Sequence, residues 1–112
     1  METVANLATR LTANAHEVRG VSLLTNHAHV LILLAKDDSM TMRDIAGIVG
    51  ITERAVQRII EDLAANGILG ITKKGRCNHY VIHPENRLQH PVEALSRVGD
   101  ILRCALPHYP LA

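Results

Sequence analysis

Phenylalanine and tryptophan are missing from this chain, and Tyr80 and Tyr109 are its only tyrosines. A core without large rings has to be assembled from Leu, Ile, Val and Ala. Long apolar runs are missing as well. The longest, Val30 to Ala35, is far too short to cross a bilayer. The opening Met1-Glu2 is acidic and no apolar stretch follows it, so no secretory leader is expected. Cysteine is scarce: Cys77 and Cys104 cannot make a disulfide framework, and a cytoplasmic protein with reduced thiols is expected. The net charge of +1 favours no class of partner, so the position of the charges has to be considered instead.

Catalytic signatures are also lacking. There is no nucleophile elbow, no glycine-rich phosphate loop and no paired-carboxylate site; Asp37-Asp38 reads as an ordinary polar turn. Seven histidines invite a metal, but no Cys-x-x-Cys occurs and no two His or Cys four apart lie within one expected helix. His27 and His29 are two apart and diverge on a helix, whereas Cys77 and His79 share one face of a strand. Cys77 follows Arg76 and lies near Lys74, and such cations can lower a thiol pKa; a small strand residue is the simpler reading. No enzyme activity, metal or cofactor is expected.

What is present is a spacing. Met42 to Ile60 reads as two short helices meeting at a tight turn. Ala46 is small where the helices must press together, and Gly50 can supply a left-handed turn residue. Val56 and Ile59 point back at Ile45 and Val49. Thr41 with Asp44 forms a capping box, Thr52 caps the second helix over Glu53 to Ala65, and Asn66-Gly67 ends it. Before this pair, Thr25-Asn26 opens a helix to Lys36 that is apolar nearly all round, the mark of a buried centre. After it, Ile68 to Thr72 and Cys77 to Ile82 read as strands around the loop Lys73-Lys74-Gly75-Arg76. Two flanking helices complete the chain. One over Thr3 to Val18 carries the seam Val4, Leu7, Leu11, Val18; the other starts at Pro91 and carries Leu95, Val98, Ile101, Leu102 and Ala105. The fold class is mainly α with a small β-hairpin wing, a winged helix-turn-helix. Its expected parts are a dimerisation helix in 1–20, the winged domain in 21–84 and a second dimerisation helix in 85–112.

The stretch from His29 to Ile82 resembles the MarR/ArsR-like winged-helix transcriptional regulators. The likeness is carried by Met42-Arg43-Asp44-Ile45-Ala46, by Gly50 through Ile59, by Leu63-x-x-x-Gly67 and by Gly75-Arg76-x-Asn78-x-Tyr80. It covers about half the chain. It implies a homodimer on a pseudo-palindromic operator, with the end helices forming the interface.

On the helix from Glu53, Val56, Ile59, Ile60 and Leu63 claim the inner face, leaving Thr52, Glu53, Arg54, Gln57, Arg58 and Glu61 outside. Arg54 and Arg58 can each pair with guanine, Gln57 with adenine, and Glu53 can accept from cytosine. Thr52 suits a phosphate, as does Arg43 at the start of the preceding helix; a surface pair with Asp44 or Asp38 is the alternative for Arg43. Lys73, Lys74 and Arg76 cluster at the hairpin in a stretch, Leu63 to Pro84, that has no acidic residue. Such a tip suits phosphates or a minor groove, although edge strands also use lysine against aggregation. A core of this size buries only roughly 60% of its unfolded surface, and each apolar side chain left outside forfeits roughly 1.5–3 kcal/mol. Dimerisation through the striped end helices is therefore expected. Double-stranded DNA is the expected partner, with room for an unidentified small-molecule effector. The competing reading is a winged-helix module that docks proteins, which would expose apolar residues beside the wing instead.

Overall fold

The computed structural model describes residues 21–75 and 77–110, with Lys74 and Cys77 described by backbone alone. The expected N-terminal helix and its dimerisation role lie outside these residues. So do Arg76 and the shared face of Cys77 and His79.

Three helices come first: α1 (Asn26–Lys36), α2 (Met42–Val49) and α3 (Glu53–Ala65). Strands β1 (Leu69–Lys74) and β2 (Cys77–Ile82) follow, then a single 3-10 turn over Pro91–Glu93 and α4 (Val98–Ala105). α1 is the centre the composition called for. Its Val30, Leu31, Leu33 and Leu34 are all buried, and α2, α3 and α4 pack around it. Met40 just ahead of α2, Ile45 and Ala46 within it, four residues of α3, Leu69, Val98 and Leu102 complete an apolar core, with Tyr80 and Tyr109 at its edge. Among the described residues no buried side-chain nitrogen or oxygen lacks a hydrogen-bond partner.

The caps form as the sequence predicts. Thr25 Oγ1 accepts from the Ala28 amide at 3.4 Å. Thr41 Oγ1 accepts from the Asp44 amide at 3.0 Å, while the Thr41 amide donates to Asp44 Oδ2 at 3.3 Å. α2 ends on Gly50 at φ 84°, ψ 34°, and the Gly50 and Ile51 amides both donate to the Ala46 carbonyl. That geometry turns the chain sharply enough to lay α3 against Ala46. A Cβ on Gly50 would meet nothing within 4 Å, so Gly50→Ala isolates the backbone strain. It should cost about 1–2 kcal/mol, read as a lower urea midpoint at unchanged m.

The wing differs from the expectation in one respect. The antiparallel register runs from Leu69 opposite Ile82 to Lys74 opposite Cys77. Lys73 and Lys74 therefore belong to β1, and the turn opens only at Gly75. Two-residue turns with positive φ match the twist of paired strands, and Gly75 provides φ 63°. The ladder accordingly zips to its end.

The C-terminal helix needs a larger correction. Pro91 opens only the 3-10 turn, on which His90 Nδ1 accepts from the Val92 amide at 3.1 Å. The chain then returns on itself, with Arg87 bridged to Arg97 and the Leu88 amide donating to the Ser96 carbonyl. Arg97 Nη1 donates to the Glu85 carbonyl at 2.6 Å and Arg87 Nη1 to the Ala94 carbonyl at 3.3 Å. These bonds hold 85–97 as a loop, and the helix begins only at Val98. Asp100 starts it by accepting from the Arg97 amide at 2.8 Å. That amide, helped by the charges of Arg103 and Arg97, holds the Asp100 carboxyl below its ordinary range. Leu95 falls off the expected stripe and is 95% exposed, whereas Val98 and Leu102 are 1% and 0% exposed against the domain's own core. One side chain fastens this loop to the rest: Asn86 Nδ2 donates to the Gly67 carbonyl at 2.6 Å, and the Asn86 carbonyl accepts from Val98.

Candidate nucleic-acid interface

α3 is built with two unlike sides. Val56, Ile59, Ile60 and Leu63 are buried, and Thr52, Glu53, Arg54, Gln57, Arg58 and Glu61 are exposed. Its first turn is fixed by Thr52, whose Oγ1 accepts from the Ala55 amide at 3.0 Å. Capping uses the Thr52 oxygen as an acceptor and leaves its hydroxyl proton for an outside oxygen. Glu53 lies in the same first turn, where the positive end of the helix suits it.

Arg54 and Arg58 take part in no ion pair or hydrogen bond among the described residues. Two guanidiniums one turn apart, each without a carboxylate, keep all their donors for an outside acceptor. Gln57 is partly engaged: its Nε2 donates to Glu61 Oε1 at 3.4 Å. An open cleft of about 770 Å³ lies along this side, lined by Arg54, Gln57, Arg58 and Glu61 among others.

Of the other candidates, Arg43 is exposed near the start of α2. Its alternative partners are otherwise engaged: Asp44 serves the capping box, and Asp38 lies 4.0 Å from His79 Nδ1. Lys73 is exposed on β1 opposite Asn78. Lys74 adds its backbone at the end of the ladder. The structure thus gathers Thr52, Glu53, Arg54, Gln57 and Arg58 on one helix side and places Arg43 and Lys73 on separate elements.

Sequence reading missed Asn26, which it considered only as a cap. Thr25 takes that role, and Asn26 lines the α3 cleft from α1. No local signal could have revealed this, since it depends on how α1 packs beside α3. It also missed the histidine pairings. His27 Nε2 lies 3.0 Å from Asp62 Oδ2, joining α1 to α3, and His83 Nδ1 lies 3.6 Å from Glu85 Oε1. These pairs are about half exposed and contribute little to stability. Among the described residues no group of three or more His, Cys, Asp or Glu gathers as a metal site would. None of the described helices is long and apolar enough to cross a membrane.

Among solved structures, a DNA-binding protein regulated by 6-hydroxynicotinic acid, BpsR of Bordetella bronchiseptica, is 18% identical at a TM-score of 0.47, over 93% of this chain and 74% of that one. The zinc-dependent MarR-family transcriptional regulator AdcR, in its Zn(II)-bound state, is 16% identical at a TM-score of 0.47, over 97% of this chain and 79% of that one. No curated protein sequence matches the chain. Residues 23–69, from the segment before α1 to the first residue of β1, match the family described as winged helix-turn-helix DNA-binding. That stretch, with its left-handed turn at Gly50 and the hairpin that follows, has the form of a winged helix-turn-helix and is similar to that DNA-binding family.

Proposed function

We propose that the chain is a sequence-specific transcriptional regulator that acts in the cytoplasm as a homodimer on an inverted-repeat DNA site. α3 lies in the major groove, with Arg54, Gln57 and Arg58 meeting base edges and Glu53 accepting from cytosine. Thr52 and Arg43 hold phosphates beside the groove. The wing, through Lys73, Lys74 and Arg76, tracks the backbone or the adjoining minor groove. The observation that carries this reading is the exposed, unpaired state of Arg54 and Arg58 on a helix side with no competing apolar cover.

The dimer is supported by where apolar surface remains. Val21, Leu23, Val92 and Leu95 are each at least 87% exposed, and they lie just before α1 and just before α4. With Val98 and Leu102 turned inward, the C-terminal contribution to an interface shifts to the turn holding Val92 and Leu95. A protein-docking module is the second reading, favoured only by Ile71 and Val81, which are half exposed on the wing. Large apolar residues on the outer side of α3 would favour it more, and that side carries none.

Salt titration separates the two. Affinity for a random duplex, read by fluorescence anisotropy, should fall by orders of magnitude between about 50 and about 200 mM salt. Selection from a random duplex library should return an inverted repeat with half-sites about ten base pairs apart, and light scattering should show a dimer. Failure to bind at either salt concentration would overturn the DNA reading, and a strict monomer at micromolar concentration would overturn the dimer.

A further inference from the structure

Asn26 is the one residue of α1 that lines the cleft along the exposed side of α3. It is exposed, and its side chain is held at one end only. Asn26 Oδ1 lies 3.3 Å from His29 Nδ1. An amide oxygen can only accept, so His29 carries its proton on Nδ1 and donates. The far ring nitrogen, His29 Nε2, lies 3.2 Å from Ser22 Oγ, whose single hydroxyl proton goes to the Leu24 carbonyl at 3.0 Å. The imidazole thus holds the amide through Nδ1, with the Ser22 hydroxyl beside its other nitrogen. With the carbonyl end of Asn26 occupied, its Nδ2 hydrogens have no partner among the described residues.

Charge around this amide is mixed. Arg54, Arg58 and Glu61 of α3 line the same cleft, the segment 21–25 brings no charged residue, and His27 of α1 is engaged by Asp62. Whatever enters the cleft to reach Arg54 and Arg58 also passes Asn26. If α3 lies in a major groove, the strand bounding that groove presents phosphate oxygens there, and phosphate oxygens only accept.

We propose that Asn26 is a further DNA contact, donating from Nδ2 to a backbone phosphate at the edge of the groove, with His29 as the residue that turns its donor end outward. The inference rests on the reading of α3 as a DNA-binding helix. It adds a clamp from α1, outside the helix-turn-helix pair and the wing.

A neutral donor leaves a signature that a cation does not. Losing it weakens every sequence alike, yet releases no counterion. Asn26→Ala should therefore weaken binding roughly tenfold, the size of one hydrogen bond to a charged group, on a selected duplex and on a random one, with the slope against salt unchanged. Asn26→Asp keeps the shape, turns the donor into a charged acceptor and suits the first turn of α1. It should bind more weakly than Asn26→Ala while melting at or above the temperature of the unaltered protein, which a structural role for Asn26 would not produce. The inference is overturned if Asn26→Ala binds within twofold of the unaltered protein, if its loss is confined to one sequence, or if Asn26→Asp binds as well as Asn26→Ala. Tight, salt-sensitive binding by the unaltered protein alongside any of these results leaves the wider DNA reading intact. No binding by the unaltered protein overturns both.

Discussion

Replacing Arg54 and Arg58 together by alanine should abolish discrimination between a selected duplex and a random one, while weak, salt-dependent binding survives. Each arginine in a bidentate contact with guanine contributes roughly 1–3 kcal/mol of discrimination, so losing two removes most of the preference for one site. The expected residue of affinity comes from phosphate contacts, through Lys73, Arg43 and Thr52. Lys73→Ala is the companion measurement. It should weaken all duplexes alike and lower the salt slope by about one. Competition binding with selected and scrambled duplexes reads both variants. If the double variant loses affinity uniformly and keeps its preference, base reading does not reside in these arginines. The fold should be unaffected, since both side chains are exposed and make no intramolecular bond among the described residues.

The second large effect concerns stability. Leu102→Ala should lower the free energy of unfolding by about 2–5 kcal/mol, the range for truncating a fully buried leucine where the surroundings relax only in part. Leu102 is 0% exposed, among the aliphatic residues of a core whose two rings, Tyr80 and Tyr109, sit only at its edge. For a domain of this size such a loss is a large share of the total stability. The measurement also tests the placement of α4. A residue spent on the domain's own core lowers the melting temperature whatever the protein concentration. A residue spent on a dimer interface would instead change the dissociation constant and make the melting temperature depend on concentration. Leu95→Ala is the contrast: at 95% exposure it should leave the unfolding of an isolated protomer unchanged.

Much of the fold was legible because several local signals agreed. The capping box at Thr41 and Asp44, the small Ala46 and the left-handed Gly50 each bear on the same turn, and the structure forms all of them. The apolar positions of α3 leave little choice about which side faces inward. Two expectations failed where a local rule met a competitor. Lys73 and Lys74 read as part of a glycine-containing loop, but pairing continues as long as the turn geometry allows it, and Gly75 at positive φ allowed two more pairs. Pro91 read as a helix start, yet it supports one 3-10 turn, and the Arg97 and Arg87 side chains hold the following residues to distant carbonyls. Those bonds run from side chains to backbone carbonyls seven and twelve residues away, contacts that a pattern of apolar residues does not report. The exposed side of α3 was legible for the same reason as the fold: the outward placement of Arg54, Gln57 and Arg58 follows from one helix and its inner face. Asn26 was not, because its place beside them comes from the packing of α1.

The short span held by Asn86 has a mechanical consequence. Its amide grips the carbonyl at the exit of α3, and its own carbonyl grips the amide at the start of α4. The two helices are therefore joined by hydrogen bonds to a single residue, in addition to the apolar core that both enter. Asn86 is thus a hydrogen-bonded strap between the helix of the exposed arginines and the last described helix.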